Sequence, residues 1–486
     1  MTIGLSMIVR DAEADLPACL ASVRGWVDEI VVADTGSRDG SRECAQSLGA
    51  QVLEIPWEAD FARARNHALA AMSTDWVLVL DADERLEPGS RQRWQAQFEA
   101  RADALQVTIR NYVSSLQARI WDRPAQPNDG SWPEGSAYPA FIEHQNVRLF
   151  RRHPDLYFVG RVHESVGPRV APAGLRLGMS SSRIHHFGMV RSPAVIAAKN
   201  ILYRELGRRK VCEQPSDPQA HFELGVVERD NFHNDAEALR CFERALRLQP
   251  GFAEAWFFAG TCLTRLGHAQ EALGFFQQAT ARGCRAAQLA EFIADAQYNL
   301  GNFAAAAQGY RDAPHPSADS AEKAALTSKL GLAELRAGRR ATGLAHLRAA
   351  VAASPEQAGI HDRLATALAW IEDWPAAAAA LQERVRCFPA EPQGYLRLAA
   401  LLVRSGGQAQ AEQAQMWLRC GLRAAPDDPQ LRQAWRELQH SLSQVLKPDL
   451  SPADKSRVSG NIPEAATAKA VQAGSETLTK EPFICR

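Results

Sequence analysis

A cluster of carboxylates follows directly after an apolar run in the N-terminal part of the chain. Residues 76–80 are all apolar, and Asp81-Ala-Asp83-Glu84 comes next. Carboxylates gathered at the end of a buried strand are poorly hydrated and repel one another, so they need cations nearby. Mg²⁺ and Mn²⁺ favour carboxylate oxygens and keep positions open for substrate phosphates. The cluster therefore predicts a divalent-metal site that can bridge a diphosphate, and the alternative is a solvated turn.

A second acidic residue ends another apolar run. Asp34 follows residues 31–33 and is succeeded by Thr-Gly36-Ser37, with a helical pattern beginning near Ser41. Asp and Ser commonly stabilise turns and helix starts, so an ordinary strand–helix loop is one interpretation. The functional interpretation is that Asp34 accepts a hydrogen bond from the N–H of a nucleotide base.

Other candidate binding residues lie at matching places in the pattern. Val9 and Arg10 end the first apolar run, and Arg63 and Arg65 lie near the start of the helical pattern that leads to the acidic strand. Val9 and Arg10 are expected to line the same crevice as Asp34, because ligands of α/β sheets bind at the carboxyl ends of strands. Arg65 is expected to face the nucleotide, and Arg63 is expected to lie on the surface.

The elements that position these residues alternate along the chain. Apolar runs predict buried strands at residues 3–9, 29–33, 51–55 and 76–80, and a further strand at 146–150. Amphipathic patterns predict helices at residues 16–23, 41–48 and 61–72. Alternating strands and helices predict an α/β domain with a mainly parallel sheet.

The order of these motifs resembles a known family. Residues 3–90 resemble the family 2 glycosyltransferases of the GT-A fold, which are nucleotide-diphospho-sugar transferases. The opening strand, the Asp-x-Gly-Ser turn, the Ala-Arg-Asn helix and the Asp-x-Asp strand occur in the family's order and rough spacing. The resemblance implies that Asp34 contacts the base, Arg65 supports the base or diphosphate, Asp81 lies near the ribose or metal, and Asp83 binds the metal. It also implies a nucleotide-sugar donor, most readily a UDP-sugar, and Mn²⁺ or Mg²⁺ as cofactor.

The resemblance extends to the later part of a domain predicted to cover residues 1–210. It implies that Gly160 belongs to an acceptor loop, that Glu164 is the catalytic base, and that His186, or its neighbour His185, approaches the metal or diphosphate. The pair His163-Glu164 stands where many relatives have Glu-Asp. The reaction implied is direct displacement at the sugar with inversion of configuration.

Helical periodicity repeats between residues 217 and 440. The segments Ala236-Glu-Ala-Leu239 and Gln270-Glu-Ala-Leu273 are offset by the 34 residues of a tetratricopeptide repeat, and six helix pairs fit the region. The region resembles tetratricopeptide-repeat proteins, which implies an all-α solenoid that binds a protein partner, with an architectural clamp or a homodimer surface as the alternatives. Four aromatic residues are expected in the core between helices: Trp256, Phe257, Tyr298 and Trp370.

The combined architecture resembles a bacterial subgroup that includes a peptide S-glycosyltransferase, with other relatives acting on lipopolysaccharide core sugars. A peptide, protein or saccharide acceptor is therefore expected. One alternative is a non-catalytic repeat scaffold with a degenerate sugar-nucleotide domain. A nucleotidyltransferase is the other, but the segment after the first strand lacks the glycine-rich loop that such an enzyme needs.

Composition narrows the partners and the compartment. The formal net charge is -1, which argues against nucleic acid as a partner. The nine cysteines are dispersed without any Cys-x-x-Cys pair, which fits a reducing compartment. With no secretory signal pattern at Met1–Arg10, a cytoplasmic location is expected, with peripheral membrane contact left open. Residues 445–486 are rich in Ser, Ala, Lys and Glu and are predicted to be disordered.

Overall fold

The computed structural model describes residues 1–99, 102–116, 118–120, 123–286, 288–314 and 321–445. The chain divides into two compact units, residues 1–251 and 252–486. The tail predicted to be disordered lies outside the described residues, apart from its first residue. The predicted ranges 1–210 and 217–440 stay predictions, and the first helix pair of the second range falls within the first compact unit.

A mixed β-sheet forms the centre of the first unit. Its strands are β1 (Ile3–Val9), β2 (Glu29–Asp34), β3 (Gln51–Glu54), β4 (Trp76–Val79), β5 (Glu84–Leu86), β6 (Ala104–Val113), β9 (Gln126–Pro127), β10 (Ala140–Arg151) and β11 (Leu177–His186). Two further short strands pair with each other, β7 (Arg119–Ile120) and β8 (Arg123–Pro124).

The order of the sheet is β3-β2-β1-β4-β10-β6-β11-β5, with β9 on β10. The four predicted strands β1 to β4 pair in parallel, as expected. The other part of the sheet is mixed, which corrects the prediction of a mainly parallel sheet. The strand predicted at 146–150 is the end of a much longer β10, which runs antiparallel to both β4 and β6. An antiparallel partner needs no crossover helix, so alternation along the sequence did not indicate it.

The helices of the first unit are α1 (Leu16–Ser22), α2 (Ser41–Ser47), α3 (Phe61–Ala70), α4 (Ser90–Glu99), α5 (Gly167–Val170), α6 (Pro193–Glu213), α7 (Pro218–Asp230) and α8 (Asp235–Leu248). Both faces of the sheet are buried. Met7 and Leu78 pack in one cluster with Leu16 of α1, and Val31 and Val77 pack in another with residues of α3. Burial on both faces explains why these strands read as continuous apolar runs.

The second unit is all-α. Its helices are α9 (Ala253–Arg265), α10 (Ala269–Ala281), α11 (Leu289–Asn299), α12 (Phe303–Asp312), α13 (Ala321–Arg336), α14 (Arg340–Ala353), α15 (Ala358–Trp370), α16 (Trp374–Cys387), α17 (Pro392–Ser405), α18 (Gln408–Ala424) and α19 (Pro429–Val445). Counted from α7 to α18, the described part of the chain contains the six predicted helix pairs. An α/β domain followed by a helical repeat solenoid is thus confirmed.

The predicted repeat core is largely in place. Phe257 and Tyr298 are buried, and Trp256 is half-buried. The prediction is wrong for Trp370, which is 38% exposed and carries the Arg336 guanidinium 4.8 Å from its ring centroid. Trp370 is the last residue of α15, so its ring stands at the helix end instead of in the core between helices.

Among the residues that the structure describes, no helix has both the length and the hydropathy needed to cross a bilayer.

Candidate active site

The carboxyl ends of β2, β1 and β4 lie side by side and form one edge of a crevice. Val9 is the last residue of β1 and stands beside Asp34, the last residue of β2. Asp81 follows β4, the neighbour of β1 on its other side. The structure therefore brings the predicted residues Val9, Asp34 and Asp81 to one edge, as parallel pairing requires. Arg10 follows Val9 and is exposed at this edge.

Within the described ranges, Asp34 forms hydrogen bonds through one of its two carboxylate oxygens. Its Oδ1 accepts hydrogen bonds from the backbone N–H groups of Gly36 and Ser37, both at 3.0 Å. Its Oδ2 is buried and has no hydrogen-bond partner among the described residues. A buried carboxylate oxygen without a donor is unfavourable unless a ligand supplies one. Oδ2 is therefore a ready acceptor for an N–H group.

Reciprocal hydrogen bonds join the loops that follow β1 and β2. The backbone N–H of Asp11 donates to Ser37 Oγ at 3.0 Å, and the N–H of Arg38 donates to Asp11 Oδ1 at 2.7 Å. The N–H and hydroxyl of Thr35 both donate to the carbonyl of Val9 at 3.0 Å. These bonds fix the rim of the crevice around Asp34 before any ligand binds.

Arg65 joins the two halves of the site. This α3 side chain is 7% exposed, and it donates from Nη2 to Asp81 Oδ1 and from Nε to Glu164 Oε1, each at 2.6 Å. Its Nη1 is buried without a partner in the described part of the chain. Arg63 is 63% exposed and pairs with Glu58, so it lies on the surface as expected.

Arg148 of β10 also belongs to this network, although no sequence motif identifies it. Its Nη2 lies 2.7 Å from Glu84 Oε1 and 3.5 Å from Asp81 Oδ2. Glu84 Oε2 in turn accepts the backbone N–H of Asp81 at 2.9 Å. The sequence does contain one sign of the role of Arg148, namely a basic residue inside an apolar stretch of a strand. Its neighbours Val147 and Leu149 are both buried.

The network sets the charge of its carboxylates. Burial opposes ionisation of Asp81, but the Arg65 and Arg148 guanidiniums outweigh burial and hold the pKa of Asp81 below its ordinary value. Burial raises the pKa of Glu84, which Arg148 only partly offsets. Glu84 therefore holds the turn in place, while Asp81 presents a permanent negative charge at its end.

Asp83 pairs with His186. Asp83 Oδ1 lies 3.5 Å from His186 Nε2, and His186 Nδ1 lies 2.7 Å from Asn111 Oδ1. Burial lowers the pKa of His186, but the Asp83 carboxylate outweighs it and raises the pKa above its ordinary value. A side chain at Gly188 would meet His186 Nε2 at 2.5 Å and Asp83 Oδ2 at 2.6 Å, so only glycine leaves this pair accessible.

Asp83 and His186 could supply two ligands to a divalent ion. In the described ranges there is no group of three or more His, Cys, Asp or Glu side chains that could hold a metal. Asp83 and His186 offer two ligands, which suits Mg²⁺ or Mn²⁺ because these ions often take few protein ligands and complete their shell with water and substrate phosphates. His186 would have to lose the proton that Asp83 stabilises in order to act as a ligand.

The neighbouring His185 lies in a different environment. It is buried, its Nδ1 lies 2.9 Å from the Tyr112 hydroxyl, and its ring stacks on Trp132 with centroids 4.2 Å apart. Successive residues of a strand point to opposite faces, so only one histidine of the pair can face the acidic cluster. The geometry places His186 there and His185 in aromatic packing.

A closed loop carries Gly160 and Glu164. Val159 and Ser165 exchange backbone hydrogen bonds at 3.1 Å and close the neck of the loop. Gly160 has a φ of +101°, a conformation that L side chains rarely adopt. Asn66, next to Arg65, donates from Nδ2 to the carbonyl of Phe158 at 3.0 Å and accepts its N–H at 2.8 Å. The loop is therefore fixed to the helix that carries Arg65.

These contacts define what the arrangement can do chemically. One end offers a buried acceptor, Asp34 Oδ2, for an N–H donor. The other end offers two acidic residues, Asp81 and Asp83, and a carboxylate, Glu164, whose Oε1 is held by Arg65. Glu164 Oε2 accepts no hydrogen bond from the described residues, so it is available to take a proton.

Comparison with known proteins agrees with this arrangement. Residues 6–157 match the family model of glycosyl transferase family 2, and residues 234–283 match the model of a tetratricopeptide repeat. The first match includes Asp34, Arg65, Asp81 and Asp83 and ends before Gly160.

Three relatives illustrate the similarity. A TPR repeat-containing protein of Synechococcus elongatus is 37% identical over 34% of this chain and 35% of its own length. An uncharacterized glycosyltransferase of Rickettsia typhi is 34% identical over 17% of this chain and 28% of its own. A lipopolysaccharide core biosynthesis glycosyltransferase of Rhizobium meliloti is 29% identical over 35% of this chain and 59% of its own.

The matches are thus partial on both sides, since the chain spans only about a third of the first two relatives. They nevertheless fall on the two regions that differ in architecture. One segment of the chain, residues 6–157, is similar to glycosyl transferase family 2, and a separate segment, residues 234–283, is similar to a tetratricopeptide repeat.

Proposed function

We propose that this protein transfers a sugar from a nucleotide-diphosphate sugar, most readily a UDP-sugar, to a peptide, protein or saccharide acceptor with inversion at the sugar. The observation that carries the proposal is the position of Arg65. It holds Asp81, at the end of the β1–β4 half of the sheet, and Glu164, on the closed loop, at 2.6 Å each. A residue suited to the donor and a residue suited to deprotonating an acceptor are thus kept close together.

The nucleotide would bind along the edge formed by the ends of β1 and β2. Asp34 Oδ2 would accept the N–H of the base, since it is buried and has no donor among the described residues. Val9 and Arg10 would flank the base and ribose. The hydrogen-bonded rim around Asp34 means that little of the binding free energy is spent on ordering loops.

Asp83 and His186 would hold a Mn²⁺ or Mg²⁺ ion on the diphosphate side. When bound, such an ion supplies positive charge that stabilises the leaving diphosphate. Asp81 lies between this pair and Arg65 and would contact the ribose or the ion.

Glu164 would act as the general base. Its Oε1 is fixed by Arg65 Nε, and its Oε2 would accept the proton of the acceptor nucleophile as that nucleophile attacks the anomeric carbon. One displacement on the face opposite the leaving group inverts configuration and needs no covalent enzyme intermediate. Gly160 lets the loop turn so that Glu164 faces the crevice.

The acceptor and partner parts of the proposal rest on weaker similarity. The peptide S-glycosyltransferase subgroup suggests a peptide or protein acceptor, and the Rhizobium meliloti relative, named for lipopolysaccharide core biosynthesis, suggests a saccharide. The repeats would bind a protein partner or form a homodimer. A cytoplasmic location, with peripheral membrane contact, completes the proposal and is supported by the dispersed cysteines.

A donor screen tests the proposal. Thermal unfolding is measured with UDP-, GDP- and dTDP-sugars in the presence of Mn²⁺. A true donor at about 100 times its Kd stabilises the protein by about 2.7 kcal/mol. The stabilising donor is then assayed for hydrolysis and transfer. A donor that binds without any turnover would support the alternative of a non-catalytic repeat scaffold, and the absence of any binding would contradict a sugar-nucleotide site.

A further inference from the structure

Helix α6 lies across the loop that carries Glu164. The guanidinium of Arg161 forms a two-pronged ion pair with Glu213 at the end of α6, with contacts of 2.7 to 3.1 Å. The Tyr203 ring of α6 contacts the His163 ring edge-on at 5.7 Å and the Phe61 ring of α3 at 5.9 Å. Both the helix that carries Arg65 and the loop that carries Glu164 are therefore in contact with α6.

Lys199 stands one turn before Tyr203 on the same helix. It is exposed, and its ammonium lies 5.5 Å from the centroid of the Tyr203 ring. Within the described parts of the chain, Lys199 makes no hydrogen bond and no ion pair with a carboxylate. Tyr203, followed by the Asp83 and Asp81 carboxylates, raises the pKa of Lys199 above its ordinary value, so Lys199 stays charged.

The two arginines of the ionic network, Arg65 and Arg148, are already engaged. Arg65 pairs with Asp81 and Glu164, and Arg148 pairs with Glu84. Arg65 Nη1 and Arg148 Nε have no partner among the described residues, but both atoms are buried, whereas the Lys199 side chain is exposed. A diphosphate that enters beside Asp83 needs an accessible cation, and Lys199 offers one.

We propose that Lys199 binds the terminal phosphate of the donor's diphosphate and stabilises it as the leaving group, with Tyr203 holding the ammonium in place. This inference rests on the proposed glycosyl transfer. As the bond between the anomeric carbon and the phosphate oxygen breaks, its electron pair goes to that oxygen, and the Lys199 ammonium donates a hydrogen bond to it without giving up a proton. The bond to the acceptor forms at the same carbon, and the acceptor's proton goes to Glu164.

The test compares nucleoside diphosphates with monophosphates. Binding of UDP and UMP to the full chain with Mn²⁺ is measured by calorimetry for the wild type, Lys199→Gln and Lys199→Arg. Arg209→Gln serves as the control, because Arg209 is an exposed cation further along α6. Loss of a charge-assisted hydrogen bond should weaken UDP binding by about tenfold or more in Lys199→Gln. UMP binding should stay unchanged, Lys199→Arg should recover most of the UDP affinity, and kcat with the donor should fall in Lys199→Gln.

Each outcome decides the inference. Equal affinities of the wild type and Lys199→Gln for UDP would overturn it, and so would an equal loss for UDP and UMP. GDP and dTDP, with their monophosphates, replace UDP and UMP if the wild type prefers them. If the wild type binds no nucleoside diphosphate of the three, the proposed function itself fails. Thermal unfolding of each variant shows whether a loss of binding is a loss of folding.

Discussion

The Asp34 end of the crevice is built from neighbouring backbone, whereas the Glu164 end is built from side chains that meet across distant segments. Asp34 Oδ1 is bonded by N–H groups two and three residues ahead in the chain. Arg65, in contrast, meets Glu164 from a position 99 residues earlier in the chain. The first end depends on a local turn and the second on the packing of a whole domain.

This difference predicts different sensitivities. A local turn keeps its shape when a distant contact is lost, because its hydrogen bonds lie within a few residues. A buried ionic network loses several contacts together when one member is removed, because the remaining charges stay buried without partners. Substitutions at the Glu164 end should therefore affect turnover and folding, and substitutions at the Asp34 end should affect only nucleotide affinity.

The largest effect is expected at Asp83. Asp83→Ala should reduce sugar transfer to background, a loss of at least about ten-thousandfold in kcat, since it removes a ligand of the ion that neutralises the leaving group. The measurement is steady-state turnover with Mn²⁺, together with circular dichroism to show that the fold is intact. Asp155→Ala is the control, because Asp155 is exposed and its ion-pair partner His153 is not one of the residues assigned to the site. Full turnover by a folded Asp83→Ala variant would show that Asp83 is not a metal ligand.

Glu164→Gln should lower kcat by about a thousandfold through loss of the general base. Donor affinity should be retained, because a glutamine Oε1 can still accept the hydrogen bond from Arg65 Nε. The measurement pairs kcat with donor affinity by calorimetry. A parallel loss of donor affinity would mean that Glu164 has a structural role or a role in metal binding instead.

Arg65→Gln tests the network itself. The substitution leaves Asp81 and Glu164 without their shared cation, so the free energy of unfolding should fall by about 3 kcal/mol. The control is Arg63→Gln, because Arg63 is on the same helix but is exposed and paired at the surface. This substitution should change the free energy of unfolding by less than about 0.5 kcal/mol. Urea denaturation compares the two. If both variants lost a similarly small free energy of unfolding, the Glu164 end of the crevice would be no more sensitive to substitution than the surface.

The smallest effect is expected at Asp34. Asp34→Asn should weaken nucleotide binding by about tenfold, because the amide presents an N–H where the base needs an acceptor. Stability should change little, since the amide oxygen can still accept the N–H groups of Gly36 and Ser37. Calorimetry measures the affinity for UDP, and thermal unfolding measures the stability. A large loss of stability with unchanged nucleotide affinity would assign Asp34 a capping role alone.

The same contrast explains how far the sequence could predict this molecule. Strands β1 to β4 and helices α1 to α3 follow from apolar runs and periodicity, and the six helix pairs follow from the 34-residue offset, since these signals are local or repeated. The antiparallel course of β10, the contacts of Arg148 and the choice of His186 over His185 for the acidic cluster do not follow. Each depends on strand pairing between segments far apart in sequence, which no spacing reveals.

The closed loop that carries Gly160 and Glu164 bears on how such a protein can change over generations. The Val159–Ser165 pair joins the two ends of the loop through backbone groups, which do not depend on the side chains between them. Under the proposed function, the closed loop would bind the acceptor and the edge around Asp34 would bind the donor. Substitutions at loop positions other than Gly160 and Glu164 would then change acceptor choice over generations while donor choice stays the same.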